Sequence, residues 1–276
     1  MSDHAYQTQY RAEFIAGFEQ KQALVRNTVT TEAVIKGNTA TFLVADSGAA
    51  TAVTRGLNGL IPARADNLTQ YSATLTEWHD LARRTSFNIF ASQGDGRRIM
   101  QDTTMSVINR KIDDDIITEL NTATQDTGTA QTASLSMVMM GIAILGNNSV
   151  PLDGNISALI TPAFHAYLMQ IKEFANGDYV NNKPFSGQLM HYTWAGVNFI
   201  VHPNLPGKAT SAEKCFLYHK SAIGHAINTG GIDSKVGYDE EQDYSFARCT
   251  AYMGSKVLQN SGIVVLNHDG SAYAAQ

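Results

Sequence analysis

Charge is scarce in this chain. Lys, Arg, Asp and Glu together make up 16% of its 276 residues, and the formal net charge is −5. A dedicated nucleic-acid reader carries a basic stripe or patch, so this balance excludes sequence-specific DNA binding. Cysteine is nearly absent: Cys215 and Cys249 stand in apolar, strand-like surroundings with no metal or redox spacing, and both read as reduced core residues. The most apolar stretch, SLSMVMMGIAIL, is far shorter than the roughly 20 residues of a membrane-spanning helix. MSDHAYQTQYRAEF lacks the basic and apolar blocks of a signal peptide. These absences predict a soluble chain made in a cytoplasm, with no membrane partner. With so few charges, much of the surface must be polar-neutral or apolar, which favours self-association.

Catalytic spacing is missing too. His165, His191, His202, His219 and His225 are scattered singly, and none forms HExxH or joins a serine in a nucleophile elbow. Neither cysteine has a neighbouring base to activate a thiolate. Glu77, His79 and Asp80 make a loose ligand set with no second half. Asp113, Asp114, Asp115 and Glu119, with Arg110 and Lys111 just before them, read as the solvated charged face of a helix. Gly94-Asp95-Gly96 lacks the remaining glycine and the lysine of a phosphate loop and reads as a helix-starting turn. No catalytic, cofactor-binding or metal residue is assigned. An enzyme or small-molecule binding module would need a site assembled in space around His165, His202 and His219.

What is present is a long irregular segment, VADSGAATAVTRGLNGLIPAR, residues 44–64. Val53, Leu57, Leu60 and Ile61 follow no period of two or 3.6, and Gly48, Gly56, Gly59 and Pro62 interrupt any helix. Segments this long inside a compact domain are usually functional or disordered, and this one lacks the high charge of disorder. VTTEAVIKGNTATFLV before it alternates as strands around Gly37-Asn38, and NLTQYSATLTEWHDLARRTSFNIF after it reads as a strand pair. A protruding hairpin between Val44 and Trp78 follows. Arms of about seventeen residues would reach about 55 Å, against a radius of gyration of roughly 19 Å for the whole. Such a hairpin would lie on a neighbour.

Elsewhere the order is mixed. Phe14, Ile15 and Phe18 suggest a short amphipathic helix within residues 10–24, behind a polar arm. Met105, Ile108, Ile112, Ile116 and Leu120 recur at spacings of three and four, predicting a helix of about 26 residues with a single buried stripe. A second helix starts near Ser134 and stops at Gly146-Asn147-Asn148. ISALITPAFHAYLMQIKEFANG gives a strand, then Thr161 as N-cap, Pro162 at the first helical position and a helix ending before Gly177. AGVNFIVHPNLPG is a strand closed by a turn, EKCFLYHKSAIGHAIN a strand followed by a short helix, and FARCTAYMGSKVLQNSGIVVL two strands around residues 259–262. There is no internal repeat. The fold class is α+β, as one large domain or two small ones.

These motifs, in this order, resemble the major capsid protein of tailed bacteriophages, the Johnson fold. ALITPAFHAYLMQ is similar to the family's strand, cap and helix. AGVNFIVHPNLPG, with Gly196, Val201, Asn204, Leu205 and Pro206, resembles its strand ending in an Asn-Leu-Pro turn. CFLYHKSAIGHAI resembles the next strand and its alanine-rich helix, and CTAYMGSKVLQNSGIVVL, with Tyr252, Gly254, Gly262 and Val264, the closing strands. The resemblance implies an N-terminal arm (1–27), peripheral-domain strands (28–44), an extended β-hairpin loop (45–77) lying across the adjacent subunit, and a peripheral domain (78–150) with a long spine helix (97–122). An axial domain (151–241) and C-terminal peripheral strands (242–276) complete it. Val53, Arg55, Leu57, Leu60, Ile61 and Arg64 would then make intersubunit contacts, and Met105, Ile108, Ile112, Ile116 and Leu120 would form the buried face of the spine helix.

The implied partners are further copies in pentamers and hexamers, a separate scaffold protein, a portal, packaged double-stranded DNA held non-specifically and, in some shells, a decoration protein. The implied place is the virion capsid, assembled in the host bacterial cytoplasm, with no enzyme activity and no cofactor. Some members crosslink covalently through a lysine in the extended loop. Residues 45–77 contain no lysine, so the shell is expected to be noncovalent. Some members carry a long N-terminal scaffolding segment that is removed, whereas here the family-like region begins almost at once, which implies a separate scaffold or a mature chain. An encapsulin-like compartment shell is the alternative on the same fold.

Overall fold

The computed structural model describes residues 21–31, 34–47, 50–64, 67–85, 96–175, 191–228 and 230–274. In chain order its elements are β1 (Val34–Lys36), β2 (Thr39–Asp46), β3 (Asn67–Thr74), β4 (Thr76–Thr85), α1 (Gly96–Leu120), α2 (Leu135–Asn147), β5 (Ile156–Ile160), α3 (Pro162–Leu168) and α4 (Lys172–Ala175). There follow β6 (His191–Trp194), β7 (Val197–Val201), β8 (Glu213–His219), β9 (Ile223–Ile227), β10 (Asp233–Asp239), β11 (Tyr244–Val257) and β12 (Ile263–His268). The class is α+β, organised as two compact units interleaved along the sequence.

In the first unit, with described residues from 21–23, 76–85, 96–113, 227–228 and 230–253, strands lie in the order β10-β11-β4, all antiparallel. Period-two alternation buries Cys249 and Ala251 against Ile108 of α1, with Trp78, Met105, Ile227 and Ile232 closing the cluster. The other face keeps Leu81, Arg83, Arg248 and Tyr252 in solvent.

The second unit takes the remainder, including residues 114–120 of α1. Its main sheet runs β12-β8-β5-β7-β6, with β5 and β7 parallel and the other neighbours antiparallel. Every residue of the central β5 is buried. Helix α2 lies so close to the sheet that a Cβ on Gly141 would come 3.0 Å from Leu217 and Leu266 side-chain carbons. Phe174 meets Tyr192, Trp194 and Phe199 edge-on, and Tyr192 stacks on Phe199. Thr161 caps α3, accepting from the Phe164 N–H at 3.1 Å with Pro162 next in line, and Ser134 caps α2 in the same way. A smaller sheet, β1-β2-β3, packs Ala40, Phe42 and Ala73 with Ala226 and Leu258.

Several expectations need correction. β3 and β4 do not pair with each other: after Leu75 the chain leaves one sheet for the other. The paired arms of the hairpin are eight residues each, Thr39–Asp46 against Asn67–Thr74, about 27 Å of ladder, and they begin before Val44 rather than at it. The segment after β8 is a 3-10 turn and a buried strand, β9, not a helix. Its short apolar run carries no periodicity that separates the two. The helix after Thr161 breaks into α3 and α4 around Met169–Ile171.

Helix α1 buries more than one stripe: Thr104 continues the row of Ile108, Ile112, Ile116 and Leu120 one turn earlier, and Ser106, Asp113 and Ile117 are hidden on another side. The Thr104 and Ser106 hydroxyls donate to the carbonyls of Gln101 and Asp102, so these short polar residues are buried without an orphaned donor. The acidic run is a solvated face only in part, with Asp114 exposed. Asp113 is buried, and Asp115 accepts from the Ser255 hydroxyl at 2.6 Å. The helix expected over Phe14, Ile15 and Phe18, and Gly94-Asp95, lie outside the described residues.

Candidate functional site

The β2–β3 hairpin starts from a packed base. Thr39 pairs with Thr74, and the register continues to Asp46 opposite Asn67. Ala40, Phe42 and Ala73 are buried at the base, with Ile35, Val44, Tyr71 and Leu75 partly covered. Leu43 and Leu68, on the other parity of the strands, are 74% and 71% exposed.

Past Asp46 the ladder stops. All described residues from 50 to 64 are exposed. A tight turn shapes the tip: the Gly59 N–H donates to the Gly56 carbonyl at 2.9 Å, and the Gly56 N–H to the Leu60 carbonyl at 3.2 Å. Leu57 is fully exposed at this turn, and Val53, Leu60 and Ile61 are 61%, 74% and 65% exposed. Burying such a side chain is worth roughly 1.5–3 kcal/mol, so these four residues leave several kcal/mol unused in the isolated chain. Exposed contiguous apolar surface marks an interaction site. Arg55 and Arg64 are exposed beside them, and residues 47–65 carry no other charge.

The helical residues singled out in sequence lie along α1. Ile108, Ile112, Ile116 and Leu120 are no more than 1% exposed, and Met105 is half-buried. The three histidines of the enzyme alternative have separate neighbours. His165 lies beside the Tyr192 ring at 5.6 Å, and burial lowers its pKa. His202 accepts the Asn204 N–H at 3.2 Å, and His219 sits between Ser221, 2.8 Å from its Nδ1, and Asp153, 3.2 Å from its Nε2. His79 is held by Glu77 and Thr250, each at 2.8 Å. Among the described residues no three His, Cys, Asp or Glu side chains converge to hold a metal ion, and no helix is long and apolar enough to cross a membrane. Both cysteines are buried and free, and burial raises the Cys215 thiol to about 12.

Sequence reasoning missed Leu43 and Leu68 as part of the exposed apolar surface. The signal was available: they stand at the parity of their strands opposite to Phe42 and Ala73. It also missed the buried Thr161–Glu213–His268 group, whose members lie far apart in sequence.

Among curated proteins no match to the chain is found. Solved structures resemble it over nearly their full length at low identity. A chain from Mycobacterium phage Che8 is 16% identical with a TM-score of 0.75, the alignment covering 97% of this chain and 98% of that one. The capsid of cyanophage P-SCSP1u is 12% identical with a TM-score of 0.72, covering 96% and 93%. The capsid of a native GTA particle is 13% identical with a TM-score of 0.69, covering 98% and 99%. The model of the phage capsid protein family matches residues 2–270. With a hairpin whose apolar tip has no cover of its own and a family match spanning almost every residue, the chain belongs to the phage capsid protein family.

Proposed function

We propose that this capsid protein is the major subunit of an icosahedral shell, arranged in pentamers and hexamers around double-stranded DNA, with the 45–77 hairpin lying across the adjacent subunit. The observation that carries the reading is the complete exposure of residues 50–64 with four large apolar side chains among them. Each such contact supplies only several kcal/mol, but a closed lattice multiplies it, because every subunit is held by several neighbours at once. The hairpin tip and its receiving surface are different patches, so the contact is head-to-tail and closes into rings when the rotation is right. In this reading Arg97–Thr122 is the spine, residues 151–241 form the axial domain at the capsomer centre, and residues 28–44, 78–150 and 242–276 form the peripheral domain. The N-terminal arm, to about Gln22, reaches a neighbour. The partners are a separate scaffold protein, a portal, packaged DNA held without sequence readout and, on the outer surface, a decoration protein. Assembly takes place in the host cytoplasm.

Deletion of Gly48–Pro62 tests this. The deletion removes no buried described residue, so the chain should fold with an unchanged melting temperature and yield no stable shells by sedimentation and electron microscopy. Normal particles from the deletion would overturn the loop assignment.

A further inference from the structure

We infer that the acidic turn between β10 and β11 is the surface on which the hairpin tip of a second copy docks. This deepens the shell reading and rests on its assignment of the hairpin to a neighbour.

From Val236 to Tyr244 the sequence is VGYDEEQDY, four carboxylates and no cation. Val236 and Tyr238 on the edge strand β10 are 42% and 46% exposed, so apolar surface adjoins the acidic turn. Two of the carboxylates shape the turn itself. Asp239 accepts the N–H groups of Glu241 and Gln242 at 3.0 and 3.1 Å, and Asp243, with φ +49, accepts the Tyr238 hydroxyl. Arg83 lies near Asp239 and 4.8 Å from the Tyr244 ring, which offsets part of that charge. Glu240 and Glu241 remain: both are exposed, and among the described residues neither carboxylate has a partner.

The tip has the complementary make-up. Arg55 and Arg64 bracket Leu57, Leu60 and Ile61, with no acidic residue from 47 to 65. Two cations around an apolar cluster meet two carboxylates beside Val236 and Tyr238. All these residues are exposed in the single chain, and the occupant is another copy. Complementary charge sets register and rejects wrong partners, and apolar contact supplies most of the affinity. A tip-to-turn contact is head-to-tail, as a ring requires.

The experiment is a charge swap in cells making the full set of particle proteins, scored by particle yield in sedimentation and electron microscopy. The pairs R55E/R64E and E240K/E241K should each reduce the yield by about tenfold or more, because like charges then face each other. The fourfold variant should restore it. A melting temperature unchanged from wild type, measured on each purified variant, shows that a loss is not misfolding. If either pair assembles normally, or if both fail and the fourfold variant fails with them, the tip-to-turn pairing is wrong. The hairpin reading would survive either result, because only normal assembly of the Gly48–Pro62 deletion overturns it.

Discussion

Thr161 does two jobs with one hydroxyl. It accepts the Phe164 N–H that starts α3 and donates to Glu213 Oε2 at 2.6 Å, while the Ala209 N–H donates to Glu213 Oε1 at 2.5 Å. Glu213 and His268 are at most 1% exposed, with His268 Nε2 3.6 Å from Glu213 Oε2. Thr161→Val keeps the shape but removes the cap, worth about 1 kcal/mol, and strips a buried carboxylate of a donor, costing about 1–3 kcal/mol more. The melting temperature should fall by roughly 5–10 °C. Burial lowers the His268 pKa below its usual 6.5, offset in part by the Gln131 carbonyl and the Glu213 and Asp269 carboxylates. The unfolded chain therefore takes up the proton first as pH falls through 6.5, so this contribution is complete above that value and is lost below it. Thermal melts between pH 7.5 and 5.5 should show falling stability, with a shallower slope in His268→Asn. An equal slope would mean that other groups, His165 among them, account for the dependence.

Two glycines show how an element's surroundings decide the sign of one substitution. A Cβ on Gly254 in β11 would meet the Thr74 carbonyl oxygen at 2.4 Å, and backbone cannot swing aside, so Gly254→Ala should cost about 1–3 kcal/mol. Gly146, in the last turn of α2, has nothing within 4 Å of a Cβ and an ordinary helical backbone, so Gly146→Ala should add about 0.5–1 kcal/mol. Chemical denaturation of the two variants checks both signs. Elements with caps or clear periodicity were the legible ones: Ser134 and Thr161 mark α2 and α3, and the isoleucine spacing marks α1. β9 was not, because IGHAI is buried almost throughout and its apolar run fits helix or strand. Nor was the division of β3 from β4 at Leu75, since partner choice depends on β2 and β11, far away in sequence. The second buried side of α1 escaped because Ser106 and Asp113 count as polar in any pattern, while the Ser106 hydroxyl is satisfied by the Asp102 carbonyl one turn back. For the candidate site, the irregular tip was legible from its glycines and missing period. Its length was not, because strand ends depend on which partner residues supply hydrogen bonds.

At the scale of the whole molecule, what holds neighbours together has to come from uncovered side chains. Residues 45–77 offer Leu, Val, Ile and Arg side chains but no lysine, so no amine in the hairpin is available for an isopeptide bond. Both cysteines are buried in the subunit and the Cys215 thiol is raised to about 12, which keeps it un-ionised and out of disulfide exchange. A shell built from this chain should therefore depend on apolar burial and on a few exposed charge pairs. The apolar contribution resists salt, whereas exposed charges lie within reach of screening over about 8 Å at physiological ionic strength. When particles are boiled in detergent without reductant, this subunit should run as one band near 29.9 kDa, with no ladder of linked subunits. Intact particles moved to molar salt should persist, while their rate of assembly from subunits falls, because screening acts on the charge-guided encounter more than on the buried apolar contact. A detergent-resistant ladder would show a covalent link through residues outside the hairpin and would shift the weight of assembly away from the tip.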